Sequence, residues 1–197
     1  MATKKFNLPQ GGAVLYYRNY LGSQLATELF ADLNKNIPWS QSDIKLYSNS
    51  YKTPRLQCVM VDNPDLSPET YSNTRIAWTP ELARLRDKFS QEFTVNNRPL
   101  NYLLLNKYSD GNQYISYHAD NEVIKDDDVI VSVSLGATRK FLIRPKNKDS
   151  LEKTISLELQ HGDLVVMDGT MQRYYKHSVP KTTKKVGPRI NLTFRRC

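Results

Sequence analysis

Seven short runs in the second half of the chain constrain its fold more than any other feature: NYLLLNKY, QYISYH, VIVSVSLG, KFLIRP, KTISLEL, DLVVMDG and RINLTFR. Each is about one strand long and rich in Val, Ile, Leu and aromatics. Turn residues separate them, including Asp110-Gly111, Pro145-Lys146-Asn147, His161-Gly162 and Gly187-Pro188. Short strands at this spacing build an all-β sandwich or barrel, of which the jelly roll is one kind. Two amphipathic helices precede them. In the first, Leu21, Leu25, Leu29 and Leu33 recur every four residues. In the second, Thr79 is an N-cap and Pro80 takes the first helical position. Its stripe is Leu82, Leu85, Phe89 and Phe93. The expected fold class is mainly β with N-terminal helices, the helices packed on the outer face of the sandwich.

A chain of 197 residues and 22.7 kDa fits one domain. With 39% hydrophobic residues it has the material for a core. The two cysteines, Cys58 and Cys197, make no disulfide framework, which fits a reducing intracellular compartment, cytoplasm or nucleus. The N-terminal MATKKFNLPQGG lacks an apolar signal region, and no stretch approaches the ~20 apolar residues of a membrane helix. No membrane partner is expected. The net charge of +8 suits either a polyanionic partner, nucleic acid before membrane, or a merely basic soluble protein. Its clusters, Arg144 to Lys148, Lys181 to Lys185 and Arg195-Arg196, sit in loop-like positions fit for phosphates or for solvated turns.

The last run alternates strictly. Arg189, Asn191, Thr193 and Arg195 fall on one face, Ile190, Leu192 and Phe194 on the other. Such a strand is either an edge with its polar side in water or a wall of a polar cleft. In the cleft, two guanidiniums need anions, because an unpaired buried charge is expensive. A small dicarboxylate would satisfy both through forked hydrogen bonds.

Of three histidines, His118 precedes Asp120 by two positions. On a strand, i and i+2 share a face, so imidazole and carboxylate can reach one ion. His177 could complete a set of two histidines and one carboxylate, the ligand pattern of non-heme Fe(II) oxygenases. A second H-x-D, His161-Gly162-Asp163, lies between two strand-like runs and reads as a hairpin turn, leaving His161 structural or on the surface.

These residues fall into four spaced motifs: Asn106-Lys107-Tyr108, His118-Ala119-Asp120, His177, and Arg189-Ile190-Asn191 with Arg195. The H-x-D histidine follows Asn106 by twelve residues, and Arg189 follows His177 by twelve. With the flanks VSVSLGATRKF and HGDLVVMDG, nearly the whole chain resembles the AlkB-like Fe(II)/2-oxoglutarate dioxygenases, particularly their nucleic-acid alkylation-repair branch. The resemblance implies a double-stranded β-helix (jelly-roll) core within a single catalytic domain. Residues 1–98 would supply the N-terminal helices and a nucleotide-recognition hairpin or lid, and 99–197 the core with its metal and 2-oxoglutarate site.

The resemblance further implies that His118, Asp120 and His177 bind Fe(II). Arg189, assisted by Tyr108 and Asn191, would pair with the distal carboxylate of 2-oxoglutarate. Arg195 and Asn106 would hold the end next to the metal. With O2 as co-oxidant, an N-methyl group on a base such as 1-methyladenine or 3-methylcytosine would leave as formaldehyde, with succinate and CO2 as co-products. For the substrate pocket it implies Arg55 after Pro54, the Tyr71-Ser72 pair and Glu122. The chain departs from the family at Glu69, where repair members often carry an aromatic, and at Asn121, where an acidic residue is common. Those departures leave the preferred base open.

Asp43 to Arg55 reads as a β-hairpin whose Leu46-Tyr47 either corresponds to the wedge of duplex-acting relatives or packs on the core. As a wedge it would be weak, favouring single-stranded DNA or RNA over duplex DNA, with the protein a monomer. Two other readings stand beside this one: a demethylase of a regulatory RNA mark such as N6-methyladenine, and a catalytically inactive nucleic-acid-binding relative.

Overall fold

The computed structural model describes residues 3–46, 49–62, 74–94, 98–120, 128–168 and 170–197, with backbone alone at 44–46 and 49–50. The chain begins β1 (Lys4–Asn7), β2 (Ala13–Tyr17), α1 (Ser23–Asn36), β3 (Asp43–Leu46), β4 (Asn49–Lys52), β5 (Leu56–Val61), β6 (Arg75–Ile76) and α2 (Pro80–Phe93). It continues β7 (Tyr102–Tyr108), β8 (Ile115–His118), β9 (Ile130–Gly136), β10 (Arg139–Pro145), β11 (Ile155–Leu159) and β12 (Leu164–Met167). The one-turn α3 (Met171–Tyr174), β13 (Tyr175–Val179) and β14 (Arg189–Arg195) complete it.

The alternating strand β14 is central, not an edge. It pairs antiparallel with β7 on one side and β9 on the other, and all seven of its residues are buried. The large sheet runs β1-β2-β12-β9-β14-β7-β5-β6, and a smaller sheet runs β11-β10-β13-β8. Among the described strands only the short β5–β6 pair is parallel. One face of the large sheet meets the helices: Ile190, Leu192 and Phe194 share a core with Leu29, Leu33, Leu82, Leu85 and Phe89. Its other face meets the small sheet, where Val14, Ile130, Val165 and Met167 pack with Phe141, Ile143, Leu157 and Val179. Two face-packed antiparallel sheets with helices outside make the expected jelly-roll sandwich. The polar face of β14 therefore looks into the space between the sheets.

The helices follow their patterns, with one adjustment. Thr79 caps α2, its side chain accepting from Leu82 N, and Leu82, Leu85 and Phe89 are buried. Phe89 meets Phe194 edge-on at 5.1 Å, tying helix to sheet. In α1 the buried face is Ala26, Leu29 and Leu33. Leu25 is half-buried and Leu21 precedes the helix. A four-residue repeat overshoots the 3.6-residue turn by about 40° each step, so four leucines fan around the helix and only the last two stay on one face.

The large sheet also takes β1, β2, β5 and β6 from before residue 98, where the sequence pattern shows only helices and a hairpin. β1 and β6 are only four and two residues long, too short to display a period. The hairpin itself is present as the separate β3–β4 pair. Tyr47 and the Leu46 side chain lie outside the described residues. Among the described residues, no helix is long and apolar enough to cross a membrane.

Candidate active site

The small sheet brings the two motif histidines together. β8 and β13 pair with His118 opposite His177, their ring centroids 4.2 Å apart. β8 ends at His118, so Asp120 reaches the same point from just beyond the strand and not from a shared strand face. What turns it inward is a bond from its backbone N–H to Gln172 Oε1 on α3, at 3.0 Å. His118 Nε2 then lies 3.7 Å from Asp120 Oδ1, and His177 Nε2 3.6 Å from Oδ2. All three ligand atoms fall within 4.8 Å of one another. Those gaps are too long for hydrogen bonds. Ligands at right angles on an ion with bonds near 2.1 Å sit about 3 Å apart, so a cation between these atoms needs only a small inward movement.

The protonation states suit a cation. His118 Nδ1 lies 2.9 Å from the Ser116 carbonyl, which can only accept, so Nδ1 is the donor there and Nε2 is the nitrogen turned toward the cluster. Burial, with the neighbouring His118, pulls the His177 pKa down to about 3, so its imidazole is neutral. Burial works to raise the Asp120 pKa. Arg195 and the two histidines outweigh it and bring the value down to about 2. Two imidazoles and an ionised carboxylate form a facial donor set that fits Fe(II).

Beside this cluster a narrow pocket lies between the sheets. Its polar lining includes Asn106, Tyr108, Ser132, Asn191 and Thr193; Leu104, Ile115, Phe141, Met167 and Val179 supply apolar wall. Arg189 is buried next to it, only 1% exposed. Nη2 donates to Ser134 Oγ at 2.8 Å and to Asn191 Oδ1 at 3.2 Å, whereas among the described residues Nε and Nη1 have no hydrogen-bond partner. Burial lowers its pKa to about 10, so it stays cationic at neutral pH. Among the described residues no carboxylate pairs with it. A buried guanidinium with two free nitrogens is matched by an incoming carboxylate, and the donor set fits one end of 2-oxoglutarate.

Asn191 supports Arg189 from the same strand and anchors itself to β9 through Ser132 Oγ (2.9 Å) and the Val133 carbonyl (3.1 Å). Arg195 meets Asp120 directly, Nη1 to Oδ1 at 3.2 Å, which places it at the metal end. Asn106 Oδ1 accepts from Arg55 Nε at 2.8 Å and from Gln57 Nε2 at 2.9 Å.

Arg55, expected as a substrate contact, is thus 5% exposed and bonded to the pocket-lining Asn106. It sits where the chain enters β5, whose Gln57 pairs with Asn106 across the ladder, so its side chain runs along β7. Tyr71, Ser72 and Glu122 lie outside the described residues. Gln57 escaped the sequence reading although it stands two positions after Arg55, the spacing of a shared strand face. Arg139 escaped it too. The decoy behaves as expected in kind: His161 Nδ1 accepts from Gly136 N at 2.8 Å, far from the metal cluster. The connection is not a hairpin, however. β11 and β12 belong to different sheets, and Asp163 fixes the corner by accepting from Asn19 N and Gln160 N, each at 2.8 Å.

A jelly roll holding two histidines and a carboxylate beside a buried, unpaired arginine defines a non-heme Fe(II) oxygenase that uses a dicarboxylate cosubstrate. Comparison with known proteins agrees. Residues 13–195 match the family model described as the 2OG-Fe(II) oxygenase superfamily. The chain is 33% identical to the DNA oxidative demethylase ALKBH2 of Arabidopsis thaliana, over 98% of this chain and 68% of that protein. It is 31% identical to human ALKBH2, covering 91% and 72%. With mouse alpha-ketoglutarate-dependent dioxygenase alkB homolog 3 it shares 31% identity, covering 92% and 65%. The solved structure of OsALKBH1 superposes with a TM-score of 0.61 at 20% identity, over 93% of this chain and 97% of that one. The chain belongs to the AlkB-like 2-oxoglutarate/Fe(II) oxygenases, whose cofactor set is Fe(II), 2-oxoglutarate and O2.

Proposed function

We propose that this protein removes methyl groups oxidatively from N-alkylated bases, such as 1-methyladenine and 3-methylcytosine, in DNA or RNA. The observation that carries the reading is the His118–Asp120–His177 cluster set against the buried Arg189 with two free nitrogens. Bound Fe(II), with 2-oxoglutarate and O2, supplies the oxidising power that converts an N-methyl group to N-hydroxymethyl. That product collapses to formaldehyde and the restored base, while 2-oxoglutarate leaves as succinate and CO2.

The chain's own part is to bind and orient. His118, Asp120 and His177 hold the iron. Arg189 anchors the far carboxylate, with Tyr108 beside it and Asn191 fixing its direction. Arg195, already ion-paired with Asp120, stands at the metal end together with Asn106. The apolar walls exclude water from the reacting centre.

Nucleic acid as substrate is favoured by the +8 charge and by the printed function of the ALKBH2 relatives. Two basic side chains also approach β8 and its entry, where Arg144 of β10 lies 3.8 Å over the Tyr117 ring and Lys181, in the connection after β13, 4.9 Å over Tyr114. That arrangement presents cations and aromatic faces on and just before the strand that bears His118. A methyl on a Watson–Crick edge is reachable only in a single strand or after extrusion; the β3–β4 hairpin is the proposed recognition element, and Tyr71, Ser72 and Glu122 the proposed base contacts. The substrate calls for an intracellular site of action.

The test is iron-loaded protein with 2-oxoglutarate and methylated oligonucleotides, single-stranded and duplex, DNA and RNA. Formaldehyde and succinate are expected in equal amounts, more from single strands. Oligonucleotide binding without consumption of 2-oxoglutarate would favour an inactive binding protein instead.

A further inference from the structure

The Tyr108 ring has two buried guanidiniums near it, Arg189 with its Cζ 5.4 Å from the centroid and Arg139 at 5.6 Å. They differ in what they bond. Arg189 keeps nitrogens free, whereas Arg139, 3% exposed, spends its fork on three backbone carbonyls. Nη1 donates to Asp110 O at 3.0 Å; Nη2 donates to Gln113 O at 2.8 Å and Pro180 O at 2.7 Å.

The positions of those carbonyls matter. Asp110 and Gln113 belong to the turn that carries the chain from Tyr108 on β7 to His118 on β8. Pro180 follows directly on β13, the strand that carries His177. The β8–β13 ladder between the histidines is short, and its register shifts between His177 and Val179. So irregular a pairing fixes the separation of the two strands poorly. Arg139, at the start of β10, closes their far end with charge-assisted bonds to both.

We infer that Arg139 is a positioning residue for the reaction, holding the two histidine-bearing strands in register and Tyr108 against the cosubstrate slot. The inference rests on the reading of His118, Asp120 and His177 as the iron site. A role confined to folding would leave ligand geometry untouched once the protein had folded, and that difference is measurable.

The experiment compares the parent protein with Arg139→Met, Arg139→Lys and His161→Ala. Co(II) taken up in place of iron gives a visible ligand-field spectrum. Titration of 2-oxoglutarate into the metal-loaded protein without O2 gives its affinity, and initial rates give KM and kcat. Arg139→Met is expected to shift the Co(II) bands and to weaken 2-oxoglutarate about tenfold or more in both affinity and KM, with a smaller change in oligonucleotide KM. Arg139→Lys keeps a charge but lacks the planar fork, so it should recover the melting temperature before it recovers the 2-oxoglutarate affinity. His161→Ala, at the corner between sheets, should leave spectrum and affinity as in the parent. If Arg139→Met fails to fold, the Lys variant carries the comparison. Variants that melt lower yet keep the parent's spectrum and 2-oxoglutarate affinity would overturn the inference. A parent that takes up no Co(II) would instead overturn the iron-site reading beneath it.

Discussion

His118→Ala and Asp120→Ala are each expected to abolish turnover, whereas His161→Ala should retain it. Both H-x-D pairs look alike in the sequence, and the structure separates them. His118 and Asp120 supply two of the three donors that converge within 4.8 Å. Outer partners of metal ligands already cost roughly 10–100-fold when removed, so loss of a ligand is expected to exceed that range. Asp120→Ala carries a second penalty, because it strips the buried Arg195 of a carboxylate at 3.2 Å. Removing one partner of a buried pair costs about 3–5 kcal/mol, and Asp120→Asn is the gentler companion variant. His161→Ala loses two bonds, one from Gly136 N and one with Thr27 Oγ1, each worth about 1 kcal/mol, and nothing at the cluster. Succinate production and iron content per chain check all three. Retained activity in His118→Ala with loss in His161→Ala would assign the metal to the wrong pair.

Arg189→Ala is expected to raise the 2-oxoglutarate requirement by roughly 10- to 150-fold, the equivalent of a charge-assisted pair worth about 1.5–3 kcal/mol. Stability should respond in the opposite direction. Without cosubstrate the Arg189 guanidinium is buried with two nitrogens unmatched, an unfavourable arrangement. Arg189→Met keeps most of the volume and removes the charge, so the protein without cosubstrate should melt no lower than the parent. The parent should gain stability on adding 2-oxoglutarate in proportion to the logarithm of its concentration, and the Met variant should gain little. Thermal melts across a 2-oxoglutarate series measure both effects. An unchanged requirement in Arg189→Ala would place the cosubstrate elsewhere.

The sequence was most informative where period and chemistry agreed. β14 alternates polar and apolar over seven residues, and both faces proved buried because each had its own layer to meet, pocket on one side and helices on the other. The four spaced motifs pointed to these residues through the family resemblance they carry, and strand pairing is what brings them together, His118 opposite His177 and Arg189 opposite Tyr108. Three kinds of feature were harder to read. Short strands such as β1 and β6 take their place from neighbours in the sheet and carry no period of their own. Asp120 reaches the cluster from outside β8, held by a glutamine on α3 that no local pattern announces. Arg139 works through backbone carbonyls, whose positions depend on the folded turns and not on the identity of the residues that carry them.

The most direct measurement is anaerobic titration of metal-free protein with Fe(II), with and without 2-oxoglutarate, following bound iron and the visible iron-to-cosubstrate charge-transfer band. One iron per chain is predicted, with the band appearing only when both are present and vanishing in His177→Ala. A protein that binds no iron, or a His177→Ala variant that keeps both the iron and the band, would contradict the account.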